Sequence, residues 1–271
     1  MRTLHLFAGA GGGLLSDLIL GHEPVCAVEW DHYCCQILRE RAVEGWFPGL
    51  HVFEGDVRVF NASDWKGKVD CIHAGFPCQP HSVAGKRKGH TDDRNLWPEV
   101  VRVVGEIRPP LVFLENVPGI ISNGFIGFVL NDLADLGYDA RWTLLGADQV
   151  GAPHRRERWW LLANARQPHG ERDTGGMEKD ATKRPSIDIH TEPGGEGSDV
   201  ANAQSVYAQR FNNGSREGEP WRNGWWKTEP DLGRVANGVA SRVDRLKSLG
   251  NAQVPLQAAI AFKILMWRFG K

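Results

Sequence analysis

The chain has 271 residues, enough for one large α/β domain with a small appendage, although length alone does not decide between one domain and two. Its formal net charge of −1 excludes a uniformly basic surface, so contacts with nucleic-acid phosphates have to come from local concentrations of Lys and Arg. With 41% hydrophobic and 24% charged residues it has the make-up of a globular protein, and its 32 glycines predict long loops.

From residue 3 to about 162, short apolar runs alternate with segments of helical period, the pattern of repeated βα units around a mostly parallel sheet. Strands are expected at 3–7, 25–28, 50–53, 69–74, 111–115 and 159–163, with helices near 14–20, 32–44, 95–107 and 124–136. In the last of these helices, Phe125, Phe128, Val129, Leu133 and Leu136 fall at three- and four-residue spacings and form one apolar stripe. Residues 165–233 are different: Gly, Asn, Arg, Glu and Asp dominate and branched aliphatics become scarce, so a core is hard to build there. Trp221, Trp225 and Trp226, interleaved with Arg216, Arg222 and Lys227, fit either base stacking or a small core. Apolar spacing returns after Val235, and Leu256, Ile260 and Ile264 mark one side of a closing helix that begins at Pro255.

The five cysteines, at 26, 34, 35, 71 and 78, include no Cys-x-x-Cys pair, so neither a disulfide frame nor a structural zinc site is suggested, and a reducing cytoplasm fits. The amino terminus opens on a strand-like run and no apolar stretch approaches a membrane span, so neither secretion nor membrane insertion is expected.

The first strand runs into Phe7-Ala8-Gly9-Ala10-Gly11-Gly12-Gly13, where glycines without a Cβ let backbone approach a ligand; by itself this fits equally an ordinary tight βα turn. Glu29 ends the second strand, a placement suited to a pair of ribose hydroxyls. Leu14 stands where a dinucleotide fingerprint has its third glycine, which favours a nucleoside without a pyrophosphate and disfavours a nicotinamide cofactor. The fourth strand ends in Gly75-Phe76-Pro77-Cys78-Gln79-Pro80, at the edge where open parallel sheets bind ligands. Cys78 alone is set in a loop there; Cys26, Cys34, Cys35 and Cys71 read as inert buried thiols. Glu115-Asn116-Val117 ends the fifth strand, and a carboxyl at the end of an apolar strand is either a general acid with a raised pKa or a cap for the next segment. Three basic clusters, Lys86-Arg87-Lys88 with Arg94, Arg155-Arg156 with Arg158, and Arg234, Arg242, Arg245 and Lys247, could each be a solvated face or a phosphate contact.

In type, order and spacing, Phe7-Ala8-Gly9-Ala10-Gly11-Gly12, Gly75-Phe76-Pro77-Cys78-Gln79, Glu115-Asn116-Val117, Arg156-Glu157-Arg158 and Gly250-Asn251-Ala252 resemble the ordered motifs of the cytosine-C5 DNA methyltransferases. The resemblance covers residues 1 to about 164 and about 234 to 271. It implies an α/β fold with a Rossmann-like class I methyltransferase sheet and helices on both faces, plus a small irregular target-recognition insert. The implied division is a catalytic and cofactor-binding domain at 1–164, a target-recognition region at 165–233 and a return segment at 234–271. By the same resemblance Cys78 is the nucleophile that adds to carbon 6 of a flipped cytosine, Glu115 protonates N3, and Arg156 and Arg158 support the base and its charge. Phe7, Gly9, Gly11, Glu29, Trp30, Asp56, Pro77, Asn251 and Ala252 would hold S-adenosyl-L-methionine, while Gln79, Ser82 and Asn116 would touch the substrate. The implied partner is double-stranded DNA, bound by a monomer in the cytoplasm of a bacterial or phage-infected cell. No metal is needed, because the sulfonium is already activated.

The sequence departs from the family pattern in its short, hydrophilic insert and in a penultimate motif compressed into Arg242 to Leu246, so recognition of DNA rests on less than methyl transfer does. Position 154 is His where many members carry Gln. A transfer-RNA substrate and a non-catalytic nucleic-acid-binding relative are the alternatives.

Overall fold

The computed structural model describes residues 1–77, 95–166, 243–244 and 252–270. The chain divides into one unit made of Met1–Arg166 with Pro230–Lys271 and a second made of Gln167–Glu229, which lies outside the described residues.

The first unit is built on a seven-stranded sheet of order β3-β2-β1-β4-β5-β7-β6. Its strands are β1 (Arg2–Leu6), β2 (Glu23–Glu29), β3 (His51–Glu54), β4 (Cys71–Gly75), β5 (Leu111–Asn116), β6 (Tyr138–Leu145) and β7 (Arg158–Ala165). The first five run parallel, β7 runs antiparallel between β5 and β6, and the strand order reverses between β1 and β4. The helices are α1 (Gly12–Leu20), α2 (His32–Val43), α3 (Trp97–Ile107), the single turn α4 (Gly119–Ser122), α5 (Phe125–Asp135) and α6 (Pro255–Phe269).

Alternation along the strands sends successive side chains to opposite faces. Leu4, Leu6, Ile72, Val112, Leu114 and Leu161 point to one face, where Val100, Val103 and Val104 of α3 and Val129 and Leu133 of α5 cover them. Phe113, Trp160 and Leu162 point to the other and meet Ala258, Ala261, Phe262 and Leu265 of α6, while Leu14 and Leu38 of α1 and α2 pack with Ala27. Burying each such aliphatic or aromatic side chain is worth about 1.5–3 kcal/mol, which makes this two-faced core the main source of stability.

All six expected strands and all five expected helices form. β6 was not expected, because Asp139 and Arg141 interrupt its apolar pattern; it is the edge strand, where those side chains stay in water while Tyr138 and Leu145 are buried. Two helix faces differ from the reading of the sequence. Phe128 is 48% exposed, so the covered stripe of α5 narrows to Phe125, Val129 and Leu133, with Leu136 partly buried just beyond the helix. Leu256 is also exposed, while Ile264 is buried and Ile260 partly so, and α6 further buries Gln257, Ala258, Ala261, Phe262 and Leu265. The alanines let that helix lie close to the sheet, and the Gln257 amide is drawn inward by two carbonyls, Leu145 O at 2.7 Å and Arg156 O at 2.9 Å.

A methyl group on Gly12 would stand 2.5 Å from the Gln253 carbonyl oxygen, and that neighbour is backbone, which cannot swing aside. Gly12→Ala is therefore expected to cost about 1–3 kcal/mol by overpacking, whereas Gly127→Ala, inside α5 with open space around it, should gain about 0.5–1 kcal/mol of helix propensity. Equilibrium denaturation of the two variants beside the parent checks both signs.

Candidate active site

The reversal of strand order between β1 and β4 leaves a crevice beyond the carboxyl ends of the parallel strands, the place where such sheets bind ligands. A pocket at this crevice is lined by Phe7, Ala8 and Gly9 of the first turn, Gly75 and Glu115 of two strand ends, and Ala252 and Gln253 ahead of α6, with His5 and His73 of β1 and β4 and Gly13 of α1.

The turn after β1 is held in an unusual backbone shape. Phe7, Gly9 and Gly11 all have positive φ, at 57°, 54° and 94°, and Gly11 caps α1. For Phe7 this costs about 1–3 kcal/mol, a strain of the kind found at ligand sites. Where a Cβ of Gly9 would stand there is nothing within 4 Å, so the turn is open on that side. Glu29 fixes the turn from β2: one carboxylate oxygen accepts from Gly9 N at 2.7 Å, the other from Trp30 N and Asp31 N at 2.9 Å. Three bonds leave the carboxylate with lone-pair capacity for another donor. Beside it Trp30 is 75% exposed. Asp56 follows β3, capping a short 3-10 turn; bonds from the Arg58 backbone and guanidinium hold its carboxyl below the usual range.

Glu115 and Arg158 meet because β7 is antiparallel. A strand of that direction begins at the edge where β5 ends, and the register sets Glu115 opposite Trp160, so Arg158 is a diagonal neighbour on the same face. Its Nε lies 2.9 Å from Glu115 Oε1, and both side chains are mostly buried. Burial raises the Glu115 pKa above the carboxylate norm; Arg158 opposes that most strongly, followed by a hydrogen bond from Gln253 and the charge of Arg156, without cancelling it. The carboxyl is thus inclined to hold a proton while a cation stands against it. Arg156 has a φ of +29° and donates to Ala252 O at 2.5 Å, which ties the loop before β7 to the segment before α6.

Asn116 is buried and spends its side chain on backbone: Nδ2 donates to Phe76 O at 3.1 Å and Oδ1 accepts from Val117 N at 2.8 Å. It ties the end of β4 to that of β5. Phe76 is buried against Trp97, and Pro77 is exposed at the last described position of this loop. Phe7, Gly9, Glu115 and Ala252 are thus brought together at one pocket, with Gly11, Glu29, Arg156 and Arg158 next to it. Cys78, Gln79, Ser82 and Asn251 lie outside the described residues, as do the basic clusters at 86–94 and 234–247. Cys26, Cys34, Cys35 and Cys71 are buried and form no disulfide with one another, and burial pushes the Cys35 thiol up to about 12 and those of Cys26 and Cys71 well above the ordinary thiol value, which disfavours these three as nucleophiles at neutral pH. Among the described residues no helix is long and apolar enough to cross a membrane.

The sequence profile of the C-5 cytosine-specific DNA methylase family matches residues 1–218. The chain belongs to that family. The type II methyltransferase M.NgoMIV of Neisseria gonorrhoeae is 36% identical over 164 residues, covering 59% of this chain and 51% of the relative. M.HhaI of Haemophilus parahaemolyticus is 36% identical over 166 residues, covering 60% and 48%. The chain thus spans about half the length of the curated relatives it matches. The crystal structure of the S. pombe Dnmt2 methyltransferase superposes with a TM-score of 0.51 at 22% identity, over 61% of this chain and 51% of that one, and it speaks for the fold alone.

Sequence reasoning missed the polar group deeper in the pocket. His5 and His73 face each other across the β1–β4 register with ring centroids 4.8 Å apart. Asp17 of α1 accepts from Thr3 Oγ1 at 2.6 Å; His5, with Nε2 2.6 Å away, and His22 hold its carboxyl well below the usual range against the opposing effect of burial. The available signal was a histidine amid apolar neighbours in each of two strands, Leu4-His5-Leu6 and Ile72-His73-Ala74.

Burial pushes the His73 pKa down to about 3. Unfolded, the ring takes up a proton near pH 6.5; folded, it does not until about pH 3, so this residue withdraws stability progressively as the pH falls from about 6.5 toward 3. His73→Phe should flatten that acid loss, read as the drop in Tm between about pH 7 and about pH 4.5 relative to the parent.

Proposed function

We propose that the chain transfers a methyl group from S-adenosyl-L-methionine to carbon 5 of cytosine in duplex DNA, through a covalent adduct with Cys78. The observation that carries this reading is the buried Glu115–Arg158 pair, opening on the same pocket as the strained glycine turn and one strand away from the backbone that leads into Cys78.

The donor pocket is assigned to Phe7, Gly9, Gly11, Glu29, Trp30, Asp56, Pro77, Asn251 and Ala252. The open side of Gly9, the spare capacity of the Glu29 carboxylate and the exposed Trp30 ring suit a nucleoside. When bound, the donor supplies a methyl already activated on a sulfonium. Carbon 5 of cytosine is a poor nucleophile, so the Cys78 thiolate adds to carbon 6 and makes the ring an enamine. Glu115, whose burial favours the protonated form, gives its proton to N3 as charge builds there, and Arg158 balances the carboxylate that remains. After C5 has been methylated, its proton is lost to solvent, the C5–H electrons expel the thiolate and restore Cys78, and N3 returns its proton to the Glu115 carboxylate. Because the base is hidden in a stacked duplex, the nucleotide is flipped out, at a cost of a few kcal/mol. Gln79, Ser82 and the basic run at 86–88 follow Cys78 and are assigned to the DNA side, and 165–233 to target recognition between the catalytic region 1–164 and the return segment 234–271. A monomer acting in the cytoplasm completes the reading.

Labelled methyl transfer to duplex DNA, together with trapping on 5-fluorocytosine duplexes, tests it. The parent protein should form a denaturant-stable adduct; Cys78→Ser should lose both adduct and turnover while still binding the donor, and Glu115→Gln should slow turnover by about 10²–10⁴. Activity confined to RNA would replace the substrate, and absence of any adduct would turn the protein into a non-catalytic relative.

A further inference from the structure

Gln253 precedes α6 and lies against three glycines from two other parts of the chain. Cβ atoms built on Gly12, Gly13 and Gly75 would stand 2.5 Å from its carbonyl oxygen, 2.8 Å from its Oε1 and 3.0 Å from its Nε2. Larger residues at any of the three would collide with it, so this stretch of sheet edge is shaped around one glutamine. Its amide spans two groups. On the Nε2 side is Glu115, whose Oε2 lies 3.1 Å from the same Gly75 position, and the Gln253 side chain donates a hydrogen bond to that carboxylate. On the Oε1 side are His73 and His5, whose Cε1 and Nδ1 lie 3.0 and 3.1 Å from the Gly13 position that Oε1 also faces. His73 Nε2 and Gln253 Oε1 are both buried without a partner in bonding geometry, yet near enough that the oxygen favours a proton on the ring.

We infer that Gln253 is a positioning residue for Glu115: a neutral His73 presents its N–H to Gln253 Oε1, which turns the amide so that its N–H donates to the Glu115 carboxylate. An amide oxygen accepts and its nitrogen donates, so holding one end decides what the other offers. His73 is in turn held by its neighbours, set between the tilted rings of His5 and Phe113 with centroids 4.8 Å away on each side, and His5 is anchored to Asp17. Among the described residues, the groups that face Glu115 are therefore Arg158 and Arg156 from the β7 side and the Gln253 amide from the return segment, and of these the amide is neutral. A second cation in its place would hold the carboxyl ionised; an apolar side chain would leave burial unopposed on that side. The glutamine favours the carboxylate moderately, which suits a group that must both give up and regain a proton. This inference rests on the reading of Glu115 as the proton donor to N3.

The test is an infrared titration of the carboxyl C=O band of the full-length protein, with Glu115→Gln identifying the band, run beside steady-state methyl transfer to duplex DNA. Gln253→Met should move the band's midpoint to higher pH and lower kcat roughly tenfold with little change in KM for the donor. His73→Phe should shift the midpoint in the same direction, and His73→Gln, which restores a donor, should bring it back. The His73 pair reads the contact from its other end, so the test stands even where Gln253→Met does not fold. A midpoint unmoved by His73→Phe, or one moved with kcat unchanged, overturns the inference. A parent protein that methylates neither DNA nor RNA while Gln253→Met still moves the midpoint overturns the proposed function and leaves the contact between Gln253 and Glu115 in place.

Discussion

The site depends on the close seating of the return segment on the glycine turn. Gly12 has no room for a methyl because the Gln253 carbonyl occupies that space, and the same segment is tied by Arg156 to Ala252 O and by Gln257 to Leu145 O and Arg156 O. Those bonds join residues about a hundred positions apart, so the pocket is completed only when the last helix returns to the sheet. The side chains that define the pocket come from β1, β4, β5 and the residues before α6, and none of these segments makes a site by itself. Loop closure of that length is slow to form but, once formed, costs little more than a shorter one, since the entropy grows only with the logarithm of length.

Within that frame Glu115 is subject to two opposed effects of similar kind. Burial favours the neutral acid, and Arg158 at 2.9 Å favours the carboxylate; burial prevails. A fully exposed pair would have behaved as an ordinary ion pair and the carboxyl would have been useless as an acid at neutral pH. A fully buried carboxyl without its arginine would have held its proton too firmly to donate it. The antiparallel insertion of β7 is what makes the intermediate case available, because it starts a strand, and hence an arginine, at the edge where a parallel strand ends.

Much of this was legible in the sequence because it is written in local patterns. Apolar runs separated by helical periods located six strands and five helices, and the residues just past the strand ends supplied Gly9, Glu29, Gly75 and Glu115. What escaped was decided by contacts distant in the chain. Strand β6 carries Asp139 and Arg141 because it is an edge, a fact of topology that alternation alone does not reveal. Leu256 looked like a core residue and is exposed, since two backbone carbonyls turn Gln257 inward and thereby set the rotation of α6. The third and fourth glycines of the turn, Gly12 and Gly13, looked like part of a ligand cradle, yet their missing Cβ atoms make room for Gln253.

The pair of histidines explains why one face of this sheet is not simply apolar. His5 and His73 are register neighbours, and beyond them in the same row stands Phe113, all on the face that carries Glu115 and Trp160. A polar row in a buried sheet costs stability unless its groups are bonded; Thr3 and His5 meet Asp17 at one end, Gln253 donates to Glu115 at the other, and His73 stands between them. Asp17 is fully engaged and remains charged, whereas His73 is held neutral by burial, so positive charge is not carried inward along the row. Among the described residues, the cations near Glu115 are then the arginines beside β7, on the opposite side from the row. A carboxyl with charge on one side and neutral donors on the other can change its protonation without a second buried group having to change with it, and that independence is what a single-proton acid in a dry pocket requires.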